Sequence, residues 1–152
     1  MSFEKFLGQF GIKQTVDVVK LGRSFFKCDD KTLIANRPLF AGECIAHERG
    51  PAIIPSIDWL QEIGRAARRH VVVDSKGEWL FICGRDVFGK SIKSHNNPKL
   101  NDFVVVLNEH KECLGYGVMS APIETKRVVI KRLFDIGDLL RRERRAKRRV
   151  QY

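Results

Sequence analysis

Between residues 70 and 134 the chain is a succession of strand-length apolar runs, each closed by turn-forming residues, and this texture limits its fold most. The runs read HVVVD, EWLFICG, KSIKSH, FVVVLNE, CLGYGVMS and KRVVIKRLF, with turns at Ser75-Lys76-Gly77, Asn96-Asn97-Pro98 and His110-Lys111. Short runs rich in Val, Ile and aromatic residues, regularly spaced between turn signals, predict a small closed or half-closed β-barrel. No run approaches the roughly 20 consecutive apolar residues of a membrane-spanning helix. The apolar runs, such as residues 71–73 and 79–83, are strand-sized. No membrane partner is expected.

The first half has a different texture. Phe3, Phe6, Leu7 and Phe10 recur at helical spacing and Gly11 follows as a stop, which predicts a short amphipathic helix over residues 2–10. Runs of β type cover residues 15–20, 23–28, 32–36 and 39–47, with Gly22 and Asp29-Asp30-Lys31 as turns. Pro51 and Pro55 bracket a predicted loop. Ser56 is placed to cap a helix over residues 57–69, where Trp59, Leu60, Ile63, Ala66 and Ala67 form one apolar stripe. At the other end, Asp135 and Asp138 followed by arginines predict a closing helix from residue 135, with its acids and bases suited to the helix dipole. The texture shifts near Arg69. The expected division is an α+β domain over residues 1–69, a mostly β domain over 70–142 and a basic tail over 143–152. A chain of 152 residues, 43% hydrophobic, holds enough apolar material for two such small cores.

The net charge of +10 is unevenly spread. From Ile123 onward there are 11 Lys plus Arg against 4 Asp plus Glu, whereas the preceding 122 residues hold 17 against 14. The final stretch, with Arg144, Arg145, Lys147, Arg148 and Arg149, is nearly continuous cation. Such a block implies an anionic partner, with nucleic acid the first candidate. Lys126, Arg127, Lys131 and Arg132 make a second group. On a regular strand 127, 129 and 131 share one face and 126, 128, 130 and 132 the other, so cations mark both faces. Residues 84–93 add Arg85, Lys90 and Lys93, in a segment whose Gly84 and Gly89 are expected to bound a single helical turn. Two readings stand for that segment. It is an exposed connection with ordinary surface cations, or a backbone-lined groove suited to phosphate oxygens.

Signatures of catalysis are missing from the sequence. CLGYGV contains a GxG, but no third glycine and no helical pattern follow, so it reads as a strand that another backbone passes closely rather than as a nucleotide cradle. No GxSxG or HExxH occurs. Cys28, Cys44, Cys83 and Cys113 lie 16, 39 and 30 residues apart, and His47, His70, His95 and His110 are equally scattered. No metal, cofactor or catalytic residue is expected, and the cysteines read as four buried reduced thiols. The first ten residues carry Glu4 and no long apolar stretch, so they do not read as a secretory signal, and a cytosolic or nuclear compartment is expected.

HVVVDSKGEWLFICGRDVFGKSI, CLGYGV and RLFDIGDLLRRE together resemble the PUA domain, the small RNA-binding barrel named for pseudouridine synthase and archaeosine transglycosylase. Upstream, SFFKCDDKTLIAN and LFAGECIAHERGPAIIPSIDWLQEIGRAA resemble the pre-PUA domain of the Nip-type ribosome-biogenesis factors. The resemblance implies a small α+β pre-PUA-like domain followed by a PUA-like mixed β-barrel with a closing C-terminal helix. It also implies that the first domain takes ribosome-assembly proteins as partners. RNA would lie on a basic surface near the closing strand, at Arg127, Lys131 and their neighbours Lys126 and Arg132.

The expectation is therefore a non-enzymatic RNA-binding factor acting on rRNA or pre-rRNA in large-subunit assembly, cytoplasmic in an archaeon and nucleolar or nuclear in a eukaryote. Two rivals stand beside it: an RNA-targeting accessory subunit for a separately encoded rRNA- or tRNA-modifying enzyme, and a protein adaptor whose basic tail serves only solubility or nuclear import.

Overall fold

Ser2 opens the first helix by accepting the Lys5 amide on its Oγ at 3.2 Å, and α1 (Phe3–Gln9) then turns Phe3, Phe6 and Leu7 inward. The computed structural model describes residues 2–138 and residue 141, in two units that divide between Ala66 and Ala67. In the first unit an antiparallel meander of β1 (Val19–Leu21), β2 (Ser24–Lys27), β3 (Glu43–Arg49) and β4 (Ala52–Pro55) precedes α2 (Ile57–Ala66). Phe3 joins these layers. Its ring lies 5.6 Å from that of Phe25 on β2 and 5.7 Å, edge-on, from that of Trp59 on α2.

The first unit differs from the sequence expectation in several places, β1 and β3 each starting four residues later than the runs at 15–20 and 39–47. Residues 31–36 form a 3-10 helix and not a strand, because the Asp30 carboxylate captures the Thr32 amide at 2.9 Å and diverts the backbone from a ladder. The segment between Pro51 and Pro55 is β4 and not a loop. Pro51 falls in the turn, while Pro55 closes an edge strand opposite Ala46, where its missing N–H is tolerated. The helix capped by the Ser56 Oγ ends at Ala66, three residues early.

The second unit contains β5 (His70–Val73), α3 (Ser75–Ile82), β6 (Val87–Phe88), β7 (Ile92–His95), β8 (Phe103–Leu107), β9 (Cys113–Met119) and β10 (Val128–Asp135). The sheet order is β6-β10-β9-β8-β5-β7, antiparallel throughout except for the parallel pair β5 and β8. Its two edge strands are joined by a single 3-10 turn, Gly89–Ser91. Four Cα steps reach at most about 14 Å. In a flat sheet of this width the edges would stand about 24 Å apart, at about 4.8 Å per strand. The sheet therefore curls until its edges nearly meet, making an almost closed barrel. Val71, Val73, Phe81, Val104, Val106, Leu114, Met119, Val129 and Ile130 fill it.

One predicted strand of the barrel is a helix. SKGEWLFI is α3, because the Asp74 carboxylate accepts the Gly77 amide at 2.6 Å and caps a helical start. A strand would put Trp79 and Phe81 on the same face. The helix separates them, leaving Trp79 67% exposed and Phe81 fully buried. By contrast, the reading of CLGYGV as a strand with close backbone approach holds. A Cβ on Gly115 or Gly117 would collide with the carbonyl oxygens of Phe134 and Lys131 on β10. The cysteines depart from expectation: Cys113 is buried, Cys28 is half-buried, and Cys44 and Cys83 are exposed. Asp135 ends β10 and is wholly buried, so it does not begin a helix. The rest of the predicted closing helix, apart from residues 136–138 and 141, and the basic tail with Arg144, Arg145, Lys147, Arg148 and Arg149 lie outside the described residues.

Candidate nucleic-acid interface

The pairing of β6 with β10 brings two distant basic segments together. Val128 stands opposite Phe88, and Ile130 opposite Val87. The Gly89 amide donates to the Arg127 carbonyl at 3.2 Å. Only glycine fits there, since a Cβ would strike the carbonyl oxygens of Ile123 and Thr125. Segment 121–127 is thereby seated against the turn that carries Lys90, and Lys126 and Arg127 lie beside it. Towards the other end of the ladder, Asp86 Oδ1 accepts the Arg132 amide at 2.9 Å, which brings Arg85 alongside Lys131 and Arg132.

The strand arithmetic for residues 126–132 fails, for a physical reason. Lys126 and Arg127 precede β10, and the register against β6 slips between Val128 and Ile130. One extra residue in the bulge breaks the alternation, so Val129 and Ile130 are both buried while Lys131 is exposed. Positions 127, 129 and 131 therefore do not form one face. The helical turn near the glycines also lies elsewhere: it starts at Gly89, after β6, and not between Gly84 and Gly89.

The seven cations singled out in this unit divide into two kinds. Arg85, Lys90, Lys126, Arg127 and Lys131 are exposed and have no acidic partner among the described residues. Arg132 and Lys93 are paired. Arg132 donates from Nε to the Gly84 carbonyl at 3.2 Å and from Nη1 to Asp135 at 2.9 Å. Lys93, on the opposite edge strand β7, is bonded to Glu109, whose carboxylate raises the lysine's pKa. The five unpaired cations thus belong to one edge of the barrel, and Lys93 belongs to the other.

Sequence reasoning missed two contributors. Phe88, 38% exposed, sits on β6 between buried Val87 and Gly89, two residues before Lys90 and opposite Val128 across the ladder. Its strand parity was the available signal, but only once Val87–Phe88 is known to be a strand. Asp86 was legible only as an acid among bases. Its bond to the Arg132 amide spans 46 residues and leaves no local trace.

A curled mixed sheet with one edge lined by unpaired cations, beside a short capped helix, defines a small barrel of the PUA class, which is an RNA-binding fold. The chain belongs to this class by sequence as well: the UPF0113 PUA domain family matches residues 69–144. A UPF0113 protein of Archaeoglobus fulgidus is 30% identical over 86 residues, which are 53% of this chain and 49% of that relative. The match thus spans about half the length of the curated relative. Among solved structures, a conserved PUA domain protein from Thermoplasma acidophilum superposes with a TM-score of 0.62 at 20% identity, covering 91% of this chain and 89% of its own. A PUA domain from Aeropyrum pernix K1 superposes with a TM-score of 0.58 at 14% identity, covering 92% and 86%. At these identities the likeness is one of fold.

Proposed function

We propose that this protein binds RNA along the β6–β10 edge of its barrel, catalyses no reaction itself, and serves in ribosome assembly on rRNA or pre-rRNA. The observation that carries the reading is the gathering of Arg85, Lys90, Lys126, Arg127 and Lys131, from segments about 40 residues apart, onto one edge with no acidic partner among the described residues. Surface cations kept for solubility gain nothing from being collected and left unpaired. A polyanion gives them a use, because each phosphate neutralised releases condensed counterions and supplies affinity. Phe88 adds an exposed ring among the cations, on which an unpaired base can stack. The ribosomal role is supported by the resemblance of residues 24–36 and 39–67 to the pre-PUA domain of Nip-type factors, in which that domain takes protein partners.

Fluorescence anisotropy with a labelled single-stranded oligoribonucleotide tests the binding. The expected result is saturable binding that is lost when Lys90, Lys126, Arg127 and Lys131 are together replaced by Gln. Undiminished binding by that variant removes the proposed edge. Crosslinking in cells tests the pathway: recovery of rRNA precursors supports ribosome assembly, whereas recovery of tRNA alone favours service to an RNA-modifying enzyme.

A further inference from the structure

Arg85 and Lys131 are the two members of the cationic edge that lie beside a buried ion-pair system. Asp135 is fully buried, and its carboxylate is shared by two guanidinium groups: Arg132 at 2.9 Å, and Arg141 at 2.9 Å to Oδ1 and 2.7 Å to Oδ2. Both arginines also reach the end of α3, Arg132 through the Gly84 carbonyl in the turn after it and Arg141 through the carbonyl of its last residue, Ile82. Arg132 makes a further bond through its main chain, donating its amide to Asp86 Oδ1 at 2.9 Å. The residue before Arg85 and the residue after it are thus both fastened to Arg132. Arg132 itself is fixed by Asp135, and Lys131 is its chain neighbour.

We propose that Arg132, braced on Asp135, is a positioning residue that holds Arg85 next to Lys131 as a fixed pair of cations for the RNA backbone. The inference rests on the RNA-binding reading of this edge and adds a division of labour within it. Arg132 does not face phosphate; it spends its guanidinium on Gly84 and Asp135. Its gain is entropic, because an arginine on a tethered turn has less freedom to lose on binding than one on a free loop. Immobilising one such side chain costs about 0.5 to 1.5 kcal/mol, so the brace is worth roughly a two- to tenfold change in affinity. A guanidinium suits this bracing role, since its rigid planar fork serves two acceptors at once, whereas an ammonium group acts as a point charge.

The sign of one substitution separates this account from a direct role. Asp135→Asn removes a negative charge close to a polyanion site and puts an N–H donor where one of the two oxygens accepted from Arg132 and Arg141. If Arg132 touches phosphate, or if only net charge counts, the variant binds a fluorescein-labelled oligouridylate more tightly than wild type. If Arg132 positions Arg85, the variant binds roughly two- to tenfold more weakly, although its charge is more favourable. Folding is checked by circular dichroism at the temperature of the titration.

Because Asp135 is buried, exposed Asp86 supplies a second pair of variants that decides the matter even where Asp135→Asn does not fold. Asp86→Asn and Asp86→Ala remove the same charge, but only the asparagine retains an oxygen to accept the Arg132 amide. The expected result is weaker binding by Asp86→Ala than by Asp86→Asn, by twofold or more. Equal affinities for the two Asp86 variants, or tighter binding by folded Asp135→Asn, overturn the positioning role while leaving RNA binding intact. A wild-type chain that binds no oligouridylate and no other RNA overturns the RNA reading and this inference together.

Discussion

The Gly89 amide and the Arg127 carbonyl are 3.2 Å apart, and this one bond fastens the turn closing the barrel to the segment that leads into its last strand. Lys90 follows the donor and Lys126 precedes the acceptor. The contact that completes the fold therefore also assembles half of the cationic edge, so barrel closure and the candidate site share one structural cause.

Gly89→Ala should damage both. The new Cβ would meet two carbonyl oxygens, and backbone on backbone cannot yield as a flexible side chain does. The expected loss of stability is about 1 to 3 kcal/mol, the usual range for overpacking, measured by urea titration. RNA affinity should fall at temperatures where the variant remains folded.

The salt dependence should report the number of unpaired cations. With five phosphate contacts and about 0.7 counterions released per contact on a single strand, log affinity against log salt should have a slope near −3.5. Replacing Arg127 and Lys131 by Ala should bring the slope to about −2. Anisotropy titrations at four or five salt concentrations measure both.

Lys93 should be nearly silent. Its ammonium is bonded to Glu109, so phosphate would have to displace a carboxylate already in place. Lys93→Ala should change RNA affinity less than twofold, against about tenfold for Arg127→Ala with Lys131→Ala. A larger loss for Lys93→Ala would move the interface to the β7 edge.

Much of the barrel was legible because burial repeats along its strands. FVVVL and CLGYGVM lie at the centre of the sheet with nearly every residue buried, and they read as continuous apolar runs. α3 was misread because Trp, Leu, Phe and Ile in sequence carry a strand-like composition, and the deciding cue was a single cap, Asp74. The cationic edge was legible as residue types but not as an assembly. Lys126, Arg127 and Lys131 stood out by charge, whereas their nearness to Arg85 and Lys90 depends on a two-residue strand and a bulge. Nor does sequence distinguish Arg132 from Lys131. Their difference lies in a carboxylate three residues on that is brought back to Arg132 by irregular strand geometry.

Alkaline pH should weaken the barrel through Cys113 and Tyr116. Burial pushes the Cys113 thiol up from 9.0 to about 12, and it raises the Tyr116 phenol as well. Above the unfolded-state value the unfolded chain loses protons that the folded chain retains, so stability falls as pH rises. For Cys113 the window runs from about 9 to about 12, with a loss of about 1.4 kcal/mol per pH unit. Denaturant titrations at pH 8, 9.5 and 10.5 should show this decline. Cys113→Ala should flatten part of it, with the Tyr116 contribution remaining at the upper end.

The most direct measurement is photochemical crosslinking of the whole protein to a 4-thiouridine-substituted RNA, followed by mass spectrometry of the crosslinked peptides. An RNA lying on the β6–β10 edge predicts adducts at Phe88 and in peptides covering residues 84–90 and 121–132, with few around Lys93 and Glu109. Adducts confined to residues 2–66, or concentrated on the β7 edge, would contradict it.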